Sequence, residues 1–259
     1  RIGDELASEI LGNSNYLAIS YGGYREKTRD IQPTISELKD DLKILSAMGV
    51  KILRTYNLQL EQAPNILKAI RELKIEDSSF EMYVKLGAWI DCENAWTSSP
   101  NHDKGDEFDN SIEMQKAIDL ANKYPDIVKI IAVGNEAMVH WASSYYVQPS
   151  VILKWVNHLQ NLKKQNKLPE KLWITSSDNF ASWGGGDSSY HTKDLTDLID
   201  AVDYISMHTY AFHDTHYNSE FWELSESNKN KLSNKELIEK SMENVYSHAV
   251  SQYNSVKNY

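Results

Sequence analysis

Short apolar runs alternate with amphipathic helical patterns along nearly the whole chain, and this alternation restricts the fold more than any other feature. Tyr16–Tyr21, Val50–Tyr56, Met82–Ile90, Ile127–Val133, Leu172–Ser176 and Val202–Met207 read as strands. Ile35–Met48, Pro64–Leu73, Ser111–Tyr124, Pro149–Lys164, Lys193–Ile199 and Ser233–Tyr253 read as the helices that follow them. In the first helix Leu38, Leu42, Leu45 and Met48 recur at three- and four-residue spacing, Thr34 or Ser36 can cap it, and Gly49 ends it. Ile127–Val133 is rich in β-branched residues, as a strand covered on both faces of a parallel sheet requires.

Six consecutive strand–helix units predict a parallel sheet, either open and doubly wound or closed into a barrel. The sequence has no G-x-G-x-x-G and no G-x-x-x-x-G-K, so the nucleotide-binding, doubly wound version is disfavoured. The expected class is α/β, a (β/α)8 TIM barrel of which this chain supplies about six βα units. No linker or low-complexity tract divides it. Residues 1–259 are expected to be a single barrel domain, and Gly184–Gly186 a loop inside it.

Composition narrows the function. With 27 Lys and Arg against 37 Asp and Glu the net charge is −10, which repels phosphate backbones and argues against a nucleic-acid partner. Lys163, Lys164 and Lys167 read as a solvated helix end. No apolar run approaches the ~18 residues of a membrane span. A lone Cys92 excludes an internal disulfide scaffold and a multi-cysteine zinc site. The 7 Trp and 15 Tyr are in excess, and such rings serve either as core or as flat platforms for sugars.

In a βα barrel the chemistry sits where strands end. Those positions hold Tyr21, Gly22 and Tyr24; then Arg54, Tyr56 and Asn57; then Trp89, Asp91 and Glu93. The fourth strand ends in Gly134, Asn135 and Glu136 with Trp141 after them, the fifth in Asp178 and Asn179, the sixth in His208 and Tyr210. Carboxylates, amides, an arginine and aromatics therefore converge on one mouth, as carbohydrate binding requires. Glu136 is the sharpest candidate. A carboxyl at the end of a buried strand is partly desolvated and can stay protonated as a general acid, while a neighbouring amide can bond a sugar 2-hydroxyl. The plain alternative is a solvated Glu capping the next turn. Asp91, Glu93 and Asp178 read as hydroxyl binders. Trp96 and Trp141, in polar loops, suit sugar stacking; Trp89 suits core or platform equally; Trp155 and Trp173 suit the core. His208, His213 and His216 with Asp214 fit no recognised metal spacing and read as a polar loop, so neither metal nor cofactor is expected.

Val133-Gly134-Asn135-Glu136, preceded by Tyr124-Pro125-Asp126, resembles the signature of the family 17 glycoside hydrolases, the β-1,3-glucanases and glucanosyltransferases. Ser20-Tyr21-Gly22 and Leu53-Arg54-Thr55-Tyr56-Asn57 resemble that family's first and second strands, and Tyr210 its sixth. The resemblance implies an eight-stranded barrel, Glu136 as acid/base, Asn135 as the amide beside it, and Tyr21, Tyr56 and Tyr210 around the scissile bond. It also implies a β-glucan substrate of the laminarin type, hydrolysis with retention or transglycosylation, and an extracytoplasmic address, since a polysaccharide does not enter a cell intact. The family's nucleophile motif, a Glu on strand seven, has no counterpart here; Glu223 follows Trp222 but no strand precedes it. His208, Ala211 and Phe212 stand where many relatives have Asn, Pro and Tyr. The expectation is a fragment whose nucleophile lies outside these residues, with a second polypeptide completing the barrel. A non-catalytic glycan-binding barrel is the competing reading.

Overall fold

The computed structural model describes residues 2–216 and 229–259. Six parallel strands form one sheet: β1 (Leu17–Ser20), β2 (Val50–Arg54), β3 (Tyr83–Ala88), β6 (Val128–Asn135), β7 (Trp173–Asn179) and β8 (Ser206–His208). A two-stranded antiparallel hairpin, β4 (Cys92–Glu93) with β5 (Asn101–Gly105), is inserted after β3. Within the main sheet the strands lie side by side in chain order, without reversal. Right-handed crossovers then put every connecting helix on the same face, which excludes a doubly wound sheet.

The sheet curls. The Lys85 ammonium on β3 donates to the Ser206 hydroxyl on β8, with β6 and β7 between them. In a flat sheet those strands would stand about 14 Å apart, beyond a lysine's reach. The architecture is thus a curved half-barrel with helices outside. Among the described residues the outer edges of β1 and β8 pair with nothing, and the full barrel is not formed by them.

The outer face carries the core. Leu53, Val84, Leu86, Ile131, Val133 and Ile174 from the strands meet Leu38 and Leu42 of α2 (Ile35–Ala47) and Ile66 and Ile70 of α3 (Gln62–Glu76). Ala117 of α4 (Glu107–Lys123), Val156 of α5 (Pro149–Lys164) and Leu195 of α6 (Lys193–Ala201) continue it. Thr34 caps α2 in a reciprocal box: its side chain accepts from the Glu37 amide, and Glu37 accepts from the Thr34 amide at 2.8 Å. Met48, expected on the buried stripe, is exposed because the stripe has rotated off the sheet by the last turn. Gly87 has no room for a Cβ against the Thr55–Tyr56 backbone, so β2 and β3 close tightly just below the mouth. A one-turn helix, α1 (Ala7–Ile10), plugs the opposite end, with Ile10 against inward-facing Ile52 and Tyr83.

The strands and helices read from the sequence occur, with shifted ends. β7 runs three residues further than expected, to Asn179, and β8 is confined to Ser206–His208. The Gly184–Gly186 region is a π-helical turn, Ala181–Gly185, whose Trp183 is fully buried and donates to the Ser206 carbonyl at 3.2 Å. A short helix α7 (Ala211–His216) follows β8, and the long C-terminal helix α8 spans Asn234–Asn258. Trp222 and Glu223 lie outside the described residues. Among those described, no helix is long and apolar enough to cross a membrane.

Candidate active site

The mouth is organised by the end of β6. The run Val128–Val133 is buried on both faces, and the strand is then irregular at Gly134, whose φ is +83° and where the register against β7 shifts. A Cβ there would meet Ala137 Cβ at 2.9 Å. Glu136 itself sits at φ +47°, in the left-handed region. A non-glycine residue held there costs on the order of 1–2 kcal/mol and persists only when its surroundings impose it. Two bonds from β7 do so: the Glu136 amide donates to the Ser177 carbonyl at 2.8 Å, and the Met138 amide donates to Asp178 Oδ2 at 2.8 Å. This backbone conformation aims the carboxyl into a cleft of about 800 Å³ lined by Arg54, Tyr56, Asn135, Glu136, Trp141, Asn179, Tyr210, His213 and Asp214.

The partners of Glu136 suit proton transfer. His208 Nδ1 lies 2.9 Å from Glu136 Oε1. Burial, followed by the nearby Arg54, holds the imidazole below its ordinary range even though Glu136 pulls the other way, so it is neutral near pH 7. One tautomer of a neutral ring donates to the carboxylate; the other accepts the proton of the carboxylic acid. Among the described residues, His208 Nε2 has no hydrogen-bond partner. Arg54 donates to Asn135 Oδ1. A guanidinium only donates, so this bond fixes the amide with its oxygen toward Arg54 and leaves its N–H2 as the group for a substrate hydroxyl.

The structure gathers Arg54, Tyr56, Asn135, Glu136, Trp141 and Tyr210 around one cleft, with His208 behind Glu136. Tyr21, Asp91 and Asp178 do not reach it. The Tyr21 hydroxyl turns away and donates to Asp41 at 2.6 Å, where Arg25 also binds. Asp91 is buried under its own loop, accepting from Trp89 Nε1 at 2.7 Å, and its backbone is clamped by Asn110. Asp178 was expected at the mouth, but β7 continues through it. Alternation puts Ser177 and Asn179 inside and Asp178 behind, fully buried, accepting from the Met138 and Asn179 amides. Burial pushes its carboxyl up to about 7. Asp91 and Asp178 are therefore braces of the loops that carry Trp89 and Glu136.

Asn179, His213 and Asp214 join the cleft without having been singled out as binders. Asn179 becomes legible once β7 is known to run that far. His213 and Asp214 depend on α7, which their polar stretch did not announce. Asp214 accepts from Gln252 Nε2 at 3.0 Å and meets His248 Nε2 at 3.3 Å. Among the described residues, no three His, Cys, Asp or Glu side chains gather as a metal site would need. Beside the cleft lies a second hollow of about 460 Å³, lined by Gly22, Tyr24, Arg29, Tyr56, Asn57, Gln62, Trp89 and Asn135. The two hollows adjoin at Tyr56 and Asn135, on one side of Glu136.

Residues 18–242 match the model of the BtgE/BtgC glycoside hydrolase domain. The chain belongs to that family. The glycoside hydrolase character expected from Val133–Glu136 is thereby shown at the level of this family, whose name differs from family 17. The crystal structure of an endo-laminarinase from Formosa Hel1_33_131 is 62% identical over 98% of this chain, with a TM-score of 0.93. The chain spans 65% of that protein's length. A β-glucuronidase from Bacteroides uniformis aligns at 12% identity and a TM-score of 0.46, over 80% of this chain and 23% of its own. No curated protein matches the chain.

Proposed function

We propose that the chain is the larger part of an endo-acting β-1,3-glucan hydrolase that cleaves laminarin-type glucan with retention, with Glu136 as its general acid/base. The observation that carries the reading is Glu136, held at positive φ at the end of β6, facing an open cleft and bonded to His208. The family and the likeness to an endo-laminarinase support the substrate class. A cleft at the acid with a second hollow beside it suits a chain that extends past the bond being cut.

Glu136 gives its proton to the departing glycosidic oxygen, and the resulting carboxylate is held by the His208 Nδ1–H. It then deprotonates the water of the second step, while the Asn135 amide holds the sugar's 2-hydroxyl. Arg54 orients that amide. Tyr56, Trp141 and Tyr210 shape the groove around the sugar rings. Retention needs a second carboxylate about 5–5.5 Å from the first. Asp178 is buried behind the sheet and Asp91 under its loop. Asp214, on the wall, is engaged by Gln252 and His248. The family 17 resemblance assigns the nucleophilic Glu to a seventh strand, outside the described residues, in a barrel closed between β1 and β8. That strand belongs to the same domain or arrives on a companion polypeptide. An extracytoplasmic address follows from the size of the substrate.

Glu136→Gln in the full-length protein should lower turnover of laminarin by roughly 10²–10⁴-fold while leaving glucan binding intact. Asp214→Asn should leave most turnover. Unchanged turnover in Glu136→Gln refutes the acid/base role. A loss in Asp214→Asn as deep as that in Glu136→Gln would make Asp214 the second carboxylate. Products reading as longer glucans would make the enzyme a transglycosylase.

A further inference from the structure

We propose that Trp96, backed by Tyr145 and Trp89, forms a further sugar-binding platform at the rim of the groove, taking a glucosyl ring of the same β-glucan chain several units from the bond being cut. The proposal rests on the glucanase reading above and extends it to a site outside the cleft. Trp96 lies in the loop between β4 and β5, and its side chain is 64% exposed. Its φ is +64°, a conformation that glycine adopts without strain and a bulky residue rarely adopts at all. The Trp96 side chain also hydrogen-bonds the Asp91 carboxylate, which orients the indole without covering its face. What the strained residue does is present a flat apolar face to solvent.

The face is held rigidly. The Trp96 amide donates to the Ser144 carbonyl at 2.8 Å, and its ring stacks on Tyr145 with centroids 5.0 Å apart and planes at 27°. Tyr145 also meets Trp89 at 5.2 Å, and the Trp89 indole is locked by its bond to Asp91. Trp89 lines the hollow that shares Tyr56 and Asn135 with the cleft. Trp96, Tyr145 and Trp89 therefore form a row of packed rings that ends at the hollow lined by Tyr56 and Asn135. The Cys92 amide donates to the Tyr145 carbonyl at 3.2 Å, so the hairpin loop is bound to the very segment that follows Glu136. A neutral polysaccharide offers no charge to recognise, and its C–H-rich ring faces pack on such indoles; a preordered ring loses little entropy on binding.

The test compares the full-length protein with its Trp96→Gly and Trp96→Phe variants on laminarin and on laminaritriose, which fills fewer binding positions than the polymer. Glycine removes the ring and suits the backbone; phenylalanine keeps a smaller face. Trp96→Gly should raise KM for laminarin roughly five- to tenfold with kcat unchanged, leave both constants unchanged on laminaritriose, and be partly rescued in Trp96→Phe. Equal KM on laminarin in variant and parent, or equal losses on both substrates, overturns the platform. If the parent turns over neither substrate, the glucanase reading fails. The platform is then judged by retardation on laminarin-containing gels: lost in Trp96→Gly it stands, unchanged it falls.

Discussion

Glu113 on α4 ties together two of the loops that build the groove. It is 3% exposed, and its Oε2 accepts from the Leu58 amide at 2.9 Å and from the Trp89 amide at 2.8 Å. One oxygen thus satisfies buried donors from the loop after β2 and the loop after β3, while Oε1 has no partner among the described residues. In Glu113→Ala both amides lose their acceptor. A buried donor left unsatisfied costs about 1–3 kcal/mol, so the variant should lose roughly 2–5 kcal/mol. In Glu113→Gln the amide oxygen can occupy the Oε2 position and serve both donors, so the loss should be about 1 kcal/mol. Desolvation holds the Glu113 carboxyl above its ordinary range, outweighing the two amides that favour the anion. The folded state therefore keeps its proton to higher pH than the unfolded state. This group's contribution to stability falls as pH rises above about 4.5, and the glutamine variant should lack that slope. Urea unfolding between pH 4 and 8 measures both effects. Equal losses in the two variants, or a loss under 1 kcal/mol in Glu113→Ala, would refute the shared-acceptor argument.

Thr34→Ala removes one half of the box that starts α2 and should cost about 1 kcal/mol in urea unfolding, with groove activity unchanged. Lys85 is pushed down from 10.5 to about 7 by burial, aided by Arg54. Below pH 7 folding must bury its charge, and between pH 7 and about 10.5 that penalty fades as the folded lysine sheds its proton. Lys85→Met should therefore stabilise the chain more at pH 6 than at pH 10, by roughly 2–4 kcal/mol in urea unfolding, and a pH-independent difference would refute this.

Much of the site was legible in the residues because a barrel places function at strand ends. Strands could be located from apolar runs, so Arg54, Tyr56, Asn135, Glu136 and Tyr210 followed. The errors share one cause. A strand's end decides how far period-two alternation carries, and misplacing that end misassigns the residues just beyond it between the inner and outer faces. Reading β7 as ending at Ser176 left Asp178 at the mouth; its continuation to Asn179 put Asp178 behind the sheet. Asp91 failed for a related reason. Its loop folds back on α4, and Asn110 and Trp89 claim it through contacts that no local pattern encodes.

Local sequence determined the six strand–helix units, their order, the cap at Thr34 and the glycine at the end of β6. These depend on propensity, periodicity and neighbours a few residues apart. The tertiary structure alone decided the curl that brings Lys85 to Ser206, the pairing of Glu136 with His208 across 72 residues, and the stacking of Trp96 on Tyr145. Each joins segments far apart in the chain, and its geometry is set by how the sheet twists and how the helices pack behind it.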